Sequence, residues 1–421
     1  MNNHELATHI FSAISLILIV SLFMSHLFKK LGQPPVVSEM ITGVVLGPSI
    51  LGYFYTDFQS IMFPKEILPT LYVIAHIGLS VYMFTVGMEF DLKHIREKSG
   101  ISTIVSLSGI VFPAICGLLI TYYIFSKEIS VFTMNDWLLN SLFMASAMSI
   151  TAFPMLARII SERNLVDKTV GKIALASGAF DDLICWILLS FILSMIASNF
   201  KGFILTLGGT VSFILVSLFI FKPLLSFFDR KFNLLSKNIS QNYIKLVLFG
   251  LMLSSFFTDA IGIFSVFGSF IFGLAMPKNE SSNSIISKTR DSFSNLLLPV
   301  FFTFSGLNTR LDLIFSEKYA VLTVLIMIGA FCGKGLGVYF SSRIFGVTRS
   351  DAGMIASLMN SRGLMELIIL NIGLAAGLIT REFFSIMVLM AILTTIFATP
   401  LFNYFEKLSQ KDFAKDKNLA R

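Results

Sequence analysis

Gly178-Ala179-Phe180-Asp181-Asp182-Leu183-Ile184-Cys185-Trp186 sets two adjacent carboxylates in the middle of an apolar run covering residues 170–198. About 20 apolar residues in helical form cross the hydrocarbon of a bilayer, so a run of this length reads as a membrane span. Charge at the bilayer centre costs at least about 2.5–3.5 kcal/mol per group, which makes each instance a functional candidate. Asp181 stands nine residues past Lys172, the basic edge of its span. At helical rise that is roughly 14 Å, about half the hydrocarbon thickness. Lys334 stands nine residues before Arg343, the basic edge of a different span, and reaches the same depth. Neighbouring helix positions point about 100° apart. The reading is therefore that Asp181 binds Lys334, while Asp182 faces a water-filled cavity as a cation or proton site.

The rest of the chain fits a membrane setting. Of 421 residues 55% are apolar and 14% charged, with 44 phenylalanines, where soluble domains carry about a quarter charged residues. That excludes a secreted disulfide scaffold, a disordered regulator and an ordinary cytosolic enzyme. Span-length apolar stretches fall at 10–28, 35–53, 68–88, 101–125, 137–158, 170–198, 202–227, 243–258, 261–277, 293–308, 319–343, 350–379 and 383–404. The first has no basic flank before it and the pair Lys29–Lys30 after it, unlike a cleaved signal peptide. The 32 basic residues test the count: 24 lie in one alternate set of connections and the tail, six in the opposite set, and two, Lys334 and Arg362, inside spans. This positive-inside pattern predicts an outside N-terminus and a cytoplasmic C-terminus, and it explains the net charge of +7 without a nucleic-acid partner. Residues 1–405 read as one transmembrane domain and 406–421 as a short charged tail. Cys116, Cys185 and Cys332 read as apolar fillers. No Gly-rich nucleotide motif, resident metal site or cofactor site is expected, and the chain reads as no enzyme.

A repeat runs through the chain. Phe84–Leu92 closes the third span and Phe304–Leu313 the tenth, both reading aromatic, hydroxyl, Gly, apolar, then Asp-Leu. Met144–Ser149 in the fifth matches Ile355–Ser361 in the twelfth, and Gly43–Gly52 matches Phe267–Pro277. Each pair is seven spans apart, and an odd offset reverses the direction of crossing. Inverted repeats with a midplane site are a secondary-transporter architecture. The fifth span carries Pro154, and the twelfth Asn360-Ser361-Arg362-Gly363. Such interruptions predict two broken helices whose freed carbonyls and hydroxyls coordinate a cation. Thr151 and Ser149 are candidate ligands. Arg362 and Glu366, four apart, read as a helical ion pair, and Glu39 as structural.

Gly43–Gly52, Phe84–Leu92, Thr151–Arg158, Phe180–Leu188, Gly333–Gly335 and Leu358–Asn371 together resemble the membrane domain of monovalent cation:proton antiporters, the group of Kef-type, bacterial sodium/proton and plant CHX-type exchangers. The resemblance covers residues 10 to 405. It implies an all-α polytopic membrane protein of about 13 helices, with an inverted-topology repeat in which the two broken helices cross. It also implies a homodimer in a bacterial inner membrane. Asp182 matches the essential ion-binding aspartate, Asp181 its partner and Lys334 the lysine of the eleventh span. The function implied is exchange of Na⁺, K⁺ or Li⁺ for H⁺ by alternating access. Kef-type members continue into a nucleotide-binding domain, whereas this sequence stops at Arg421, which argues against ligand-gated efflux of that kind. A cation channel, or a potassium efflux protein gated by a separate subunit, is the competing reading. A membrane aspartyl protease would need its two acids on separate helices, and here they are neighbours on one.

Overall fold

The computed structural model describes residues 2–33, 35–89, 92–196, 200–233, 240–263, 265–307 and 317–419. The Phe90-Asp91 and Asn308–Leu313 ends of the expected repeat lie outside them. The described chain is helical throughout, with one isolated bridge pairing Phe132 with Ile379. Nine helical stretches are long and apolar enough to cross a membrane. Two shorter apolar helices and two interrupted helix pairs bring the spans to thirteen among the described residues.

In order, α1 is Asn3–Lys30, α2 Pro35–Leu46, α3 Leu51–Phe54, α4 Thr56–Met62, α5 Leu68–Glu89 and α6 Leu92–Ser126. The fifth span is α7 Trp137–Ser149 with α8 Phe153–Glu162, and the sixth is α9 Thr169–Ile196. Then α10 Phe200–Val216 passes through a π-turn at Ser217–Phe221 into α11 Lys222–Asn233. After α12 Gln241–Ala260, α13 Ser265–Ala275, α14 Glu280–Leu307 and α15 Glu317–Ile344 comes the twelfth span, α16 Arg349–Met359 with α17 Leu364–Ala375. The last is α18 Arg381–Leu419.

Two boundaries differ from the sequence expectation. The second span winds helically only to Leu46, because Gly47-Pro48 cannot continue the ladder; the chain turns and resumes as α3. The tenth starts at Glu280, well before its apolar part. Through the charged segment after Phe405, α18 runs on as helix to Leu419.

Contacts divide the chain into two compact units: Met1–Ser21, Tyr55–Lys93 and Leu193–Phe304 form one, and Leu22–Phe54, His94–Ile192 and Ser305–Arg421 the other. In the first, α5 and α12 pack on the short apolar α13. The α5–α13 crossing is a backbone contact. A methyl added at Gly87 would lie 2.3 Å from the Phe270 carbonyl, and one at Gly273 would lie 2.3 Å from the Phe84 carbonyl. Phe84 stacks on Phe272, 5.8 Å between centroids, over a core that includes Tyr243 and Leu251. In the second unit, α14 ends against α2 the same way: a methyl at Gly306 would meet Gly43 backbone at 2.5 Å. Under the seven-span offset α5 corresponds to α14 and α2 to α13, so the two glycine crossings are counterparts. Also in the second unit, Glu39 of α2 holds the Arg158 fork of α8 at 2.5 and 2.7 Å.

Candidate functional site

The site lies wholly within the second unit, where two helices break. α7 ends at Ser149 and the backbone extends through Ile150 and Ala152 before α8. Pro154 therefore sits in the first turn of α8, where its missing N–H costs nothing. α16 ends at Met359, and Asn360–Gly363 lead into α17. The breaks touch: the Ala152 N–H donates to the Ser361 carbonyl at 3.3 Å, and the Thr151 hydroxyl lies 3.3 Å from the Met359 carbonyl.

A helix end exposes unpaired carbonyls carrying partial negative charge, and a helix start exposes N–H groups carrying partial positive charge. Side chains meet both. Arg362 spreads its guanidinium over the Ala147 carbonyl, at 3.2 Å, and the Met148 carbonyl, while the Lys334 ammonium takes the Ser149 carbonyl. Two cations thus cap the C-terminal end of α7. At the start of α8 the Phe153 N–H is directed to Asp182. Thr395 of α18 fastens the second break, accepting the Arg362 N–H at 2.8 Å and donating to the Arg362 carbonyl at 2.7 Å.

The two carboxylates differ sharply. Asp181 is fully buried and takes three side-chain donors: Ser106 of α6 on Oδ1 at 2.6 Å, Thr151 on Oδ2 at 2.7 Å and Lys334 on Oδ2 at 3.0 Å. Asp182 is 6% exposed, and its Oδ1 is buried with no hydrogen-bond partner among the described residues. Asn360 Oδ1 and Ser361 Oγ share that condition. Arg362 and Glu366 are both fully buried, 3.7 Å apart, which is an ion contact longer than a hydrogen bond.

Of the residues singled out in the sequence, Asp181, Lys334 and Thr151 come together in one hydrogen-bonded group, and Asp182, Pro154, Asn360, Ser361, Arg362 and Gly363 stand on or beside the touching breaks. The Ser149 hydroxyl is spent on the Ile110 and Ala145 carbonyls, so what Ser149 gives the site is its carbonyl. Sequence reasoning missed Ser106, Thr395 and Gly109. A methyl on Gly109 would lie 3.8 Å from Lys334 Cε and 4.0 Å from Asp181 Oδ2, so bare α6 backbone passes beside the pair.

Comparison with known proteins gives the family and the fold. The family model described as "Sodium/hydrogen exchanger, transmembrane" matches residues 14–404. The Na(+)/H(+) antiporter NhaS4 of Synechocystis is 36% identical over 378 residues, covering 89% of this chain and 92% of that protein. Cation/H(+) antiporter 20 of Arabidopsis thaliana is 35% identical over 419 residues; it covers 96% of this chain, which spans about half (49%) of the plant protein. Among solved structures, the sodium proton antiporter MjNhaP1 from Methanocaldococcus jannaschii superposes with a TM-score of 0.66 at 18% identity, covering 94% of this chain and 96% of that one. At that identity the likeness speaks for the fold.

Proposed function

This chain belongs to the sodium/hydrogen exchanger family, and on that footing we propose that it is a secondary active transporter exchanging a monovalent cation, Na⁺ or K⁺, for protons across a membrane. Asp182 is the exchanging group. It binds a cation or a proton, never both, and the surrounding helices present it to one face and then the other. The observation that carries this reading is the unequal supply of donors to two neighbouring carboxylates. Asp181 is surrounded by Ser106, Thr151 and Lys334. Both of its oxygens are met by protein donors. Asp182 receives the Phe153 N–H, but its buried Oδ1 is reached by no donor among the described residues, so that oxygen is left to a bound cation or proton. Paired acidic groups in contrasting surroundings divide their roles in this way.

Thr151 gives its one hydroxyl proton to Asp181 and keeps lone pairs that can join Asp182 around a cation. The polar oxygens of Asn360 and Ser361 stand at the same crossing. Arg362 and Lys334 fix the end of α7, so the crossing keeps its shape while the bound ion changes. The protein works as an integral membrane homodimer, in a bacterial inner membrane, with its N-terminus outside and its C-terminus in the cytoplasm.

The test is cation-driven pH change in liposomes holding purified protein, comparing Li⁺, Na⁺ and K⁺. Asp182→Asn keeps the shape but cannot ionise. It should fold and insert yet give no cation-dependent proton movement. Exchange surviving in that variant overturns the role of Asp182, and unitary currents from the unmutated protein would make it a channel.

A further inference from the structure

We propose that Asn360 is a specificity-determining residue of the exchange site: its amide oxygen is a neutral ligand of the transported cation, and it counts most for the larger ions. This rests on the reading of Asp182 given above. Asn360 follows the last residue of α16 and is fully buried. Its Nδ2 donates to the Ala356 carbonyl, one turn back in α16, at 3.1 Å. A carbonyl only accepts, so the nitrogen is the atom that faces it and the oxygen is the atom left over. On the nitrogen's side α15 closes in, where a methyl on Gly335 would lie 2.9 Å from Nδ2. The oxygen, Oδ1, is buried with no hydrogen-bond partner among the described residues.

Leaving a buried amide oxygen unpaired is costly. Asn140 Oδ1 shares that condition, and what distinguishes Asn360 is its place. On one side of it the Met359 carbonyl lies 3.3 Å from the Thr151 hydroxyl; on the other the Ser361 carbonyl accepts the Ala152 N–H at 3.3 Å. Asn360 is thus held between two contacts with the first break, next to the hydroxyl that binds Asp181. The cationic side chains of the crossing serve other acceptors. Lys334 donates to Asp181 and the Ser149 carbonyl, and Arg362 to the Ala147 and Met148 carbonyls. Carbonyl oxygens of amide type replace the hydration shell of alkali cations in selective filters, so this oxygen suits the ion the site carries. A small ion is held chiefly by the strong field of a carboxylate, a larger one by the number of weak-field oxygens around it. Ser361 Oγ, buried and unpartnered beside Asn360, is of the same class.

The plainer role is a cap, since the Nδ2 bond closes the end of α16, where carbonyls otherwise go unpaired. Two variants separate the roles. Asn360→Ser keeps a proton for the Ala356 carbonyl, as Ser357 gives one to Gly353, but withdraws the amide oxygen. Asn360→Asp keeps an oxygen in place but withdraws the donor. Cation-driven proton flux in liposomes is measured against cation concentration at fixed pH, with Li⁺, Na⁺ and K⁺ in turn. Asn360→Ser should raise the KM of the largest cation carried about tenfold, the order of one polar contact to a charge, and that of the smallest by less. Asn360→Asp should leave KM level or lower it. An unchanged KM in Asn360→Ser, an equal rise for different cations, or a raised KM in Asn360→Asp overturns the proposal. So does an unfolded Asn360→Ser, because the cap survives in it. If Asn360→Asp does not fold, or a single cation is carried, the KM in Asn360→Ser decides. Asp182→Asn in the same liposomes separates the two readings. Exchange in that variant sinks the site assignment itself, whereas a dead Asp182→Asn with an unaltered KM in Asn360→Ser sinks only the role of Asn360.

Discussion

Replacing Lys334 by Met removes a fully buried ammonium 3.0 Å from a fully buried carboxylate. Taking one partner from a buried pair costs about 3–5 kcal/mol, because the other charge is left uncompensated in a low-dielectric interior. Here Asp181 keeps Ser106 and Thr151 as donors, so the cost falls at the lower end, about 3 kcal/mol. Asp181→Asn alone orphans the lysine instead, which keeps only the Ser149 carbonyl, and the penalty is similar. The double variant buries neither charge and should be more stable than either single one. Melting of the purified protein in detergent, followed by intrinsic fluorescence, reads this as a cycle. Each single change should lower the midpoint by on the order of 5 °C, and the double by less than either. Midpoint shifts that add in the double variant would refute the pairing, since independent sites add and coupled ones do not.

Three further outcomes follow from the geometry. Gly306→Leu should abolish folded protein, because even a methyl there meets Gly43 backbone at 2.5 Å, while Gly100→Ala, with nothing within 4 Å, should leave stability level or raise it by about 0.5 kcal/mol; expression followed by gel filtration separates them. Arg362→Lys keeps the charge but cannot span the Ala147 and Met148 carbonyls, so the melting midpoint should fall by several degrees at unchanged net charge, and a midpoint equal to the unmutated one would remove Arg362 from the crossing. Cysteines placed at Asn2 and at Asn418 should react with an impermeant reagent from outside at Asn2 alone; labelling of both, or of Asn418 alone, would reverse the orientation.

Depth was legible in the sequence because charge placement marks the edges of spans. Lys172 and Arg343 are each nine residues from the group they locate, and that spacing was enough to bring Asp181 and Lys334 to one level. The broken helices were legible from Pro154 and Asn360–Gly363, though Pro154 follows its break and does not cause it. Ser106 was not legible. Hydroxyls are common in membrane helices, and its choice of a carboxylate over its own helix depends on the rotation of α6, which a helix with apolar residues on all sides of its membrane part does not encode. The same holds for Thr395, whose partner is a backbone segment 33 residues away. Ser149 shows the reverse case: its residue type suggested a ligand hydroxyl, while the fold uses its carbonyl.

The glycine crossings of α5 with α13 and of α14 with α2 carry a consequence for how such a chain can change over generations. In each the helices meet backbone to backbone, and Gly87, Gly273 and Gly306 each lack room for even one added carbon. Overpacked contacts of this kind are not relieved by rotating a flexible neighbour, because the obstacle is main chain. If one ancestral half gave rise to both, these positions froze before the halves diverged, while their surroundings drifted until little beyond small residues and hydroxyls still matched. Saturation mutagenesis would then find intolerance at paired positions seven spans apart, flanked by sites that accept substitution freely. The symmetry worn away in the letters of the sequence would reappear as a pattern of forbidden letters.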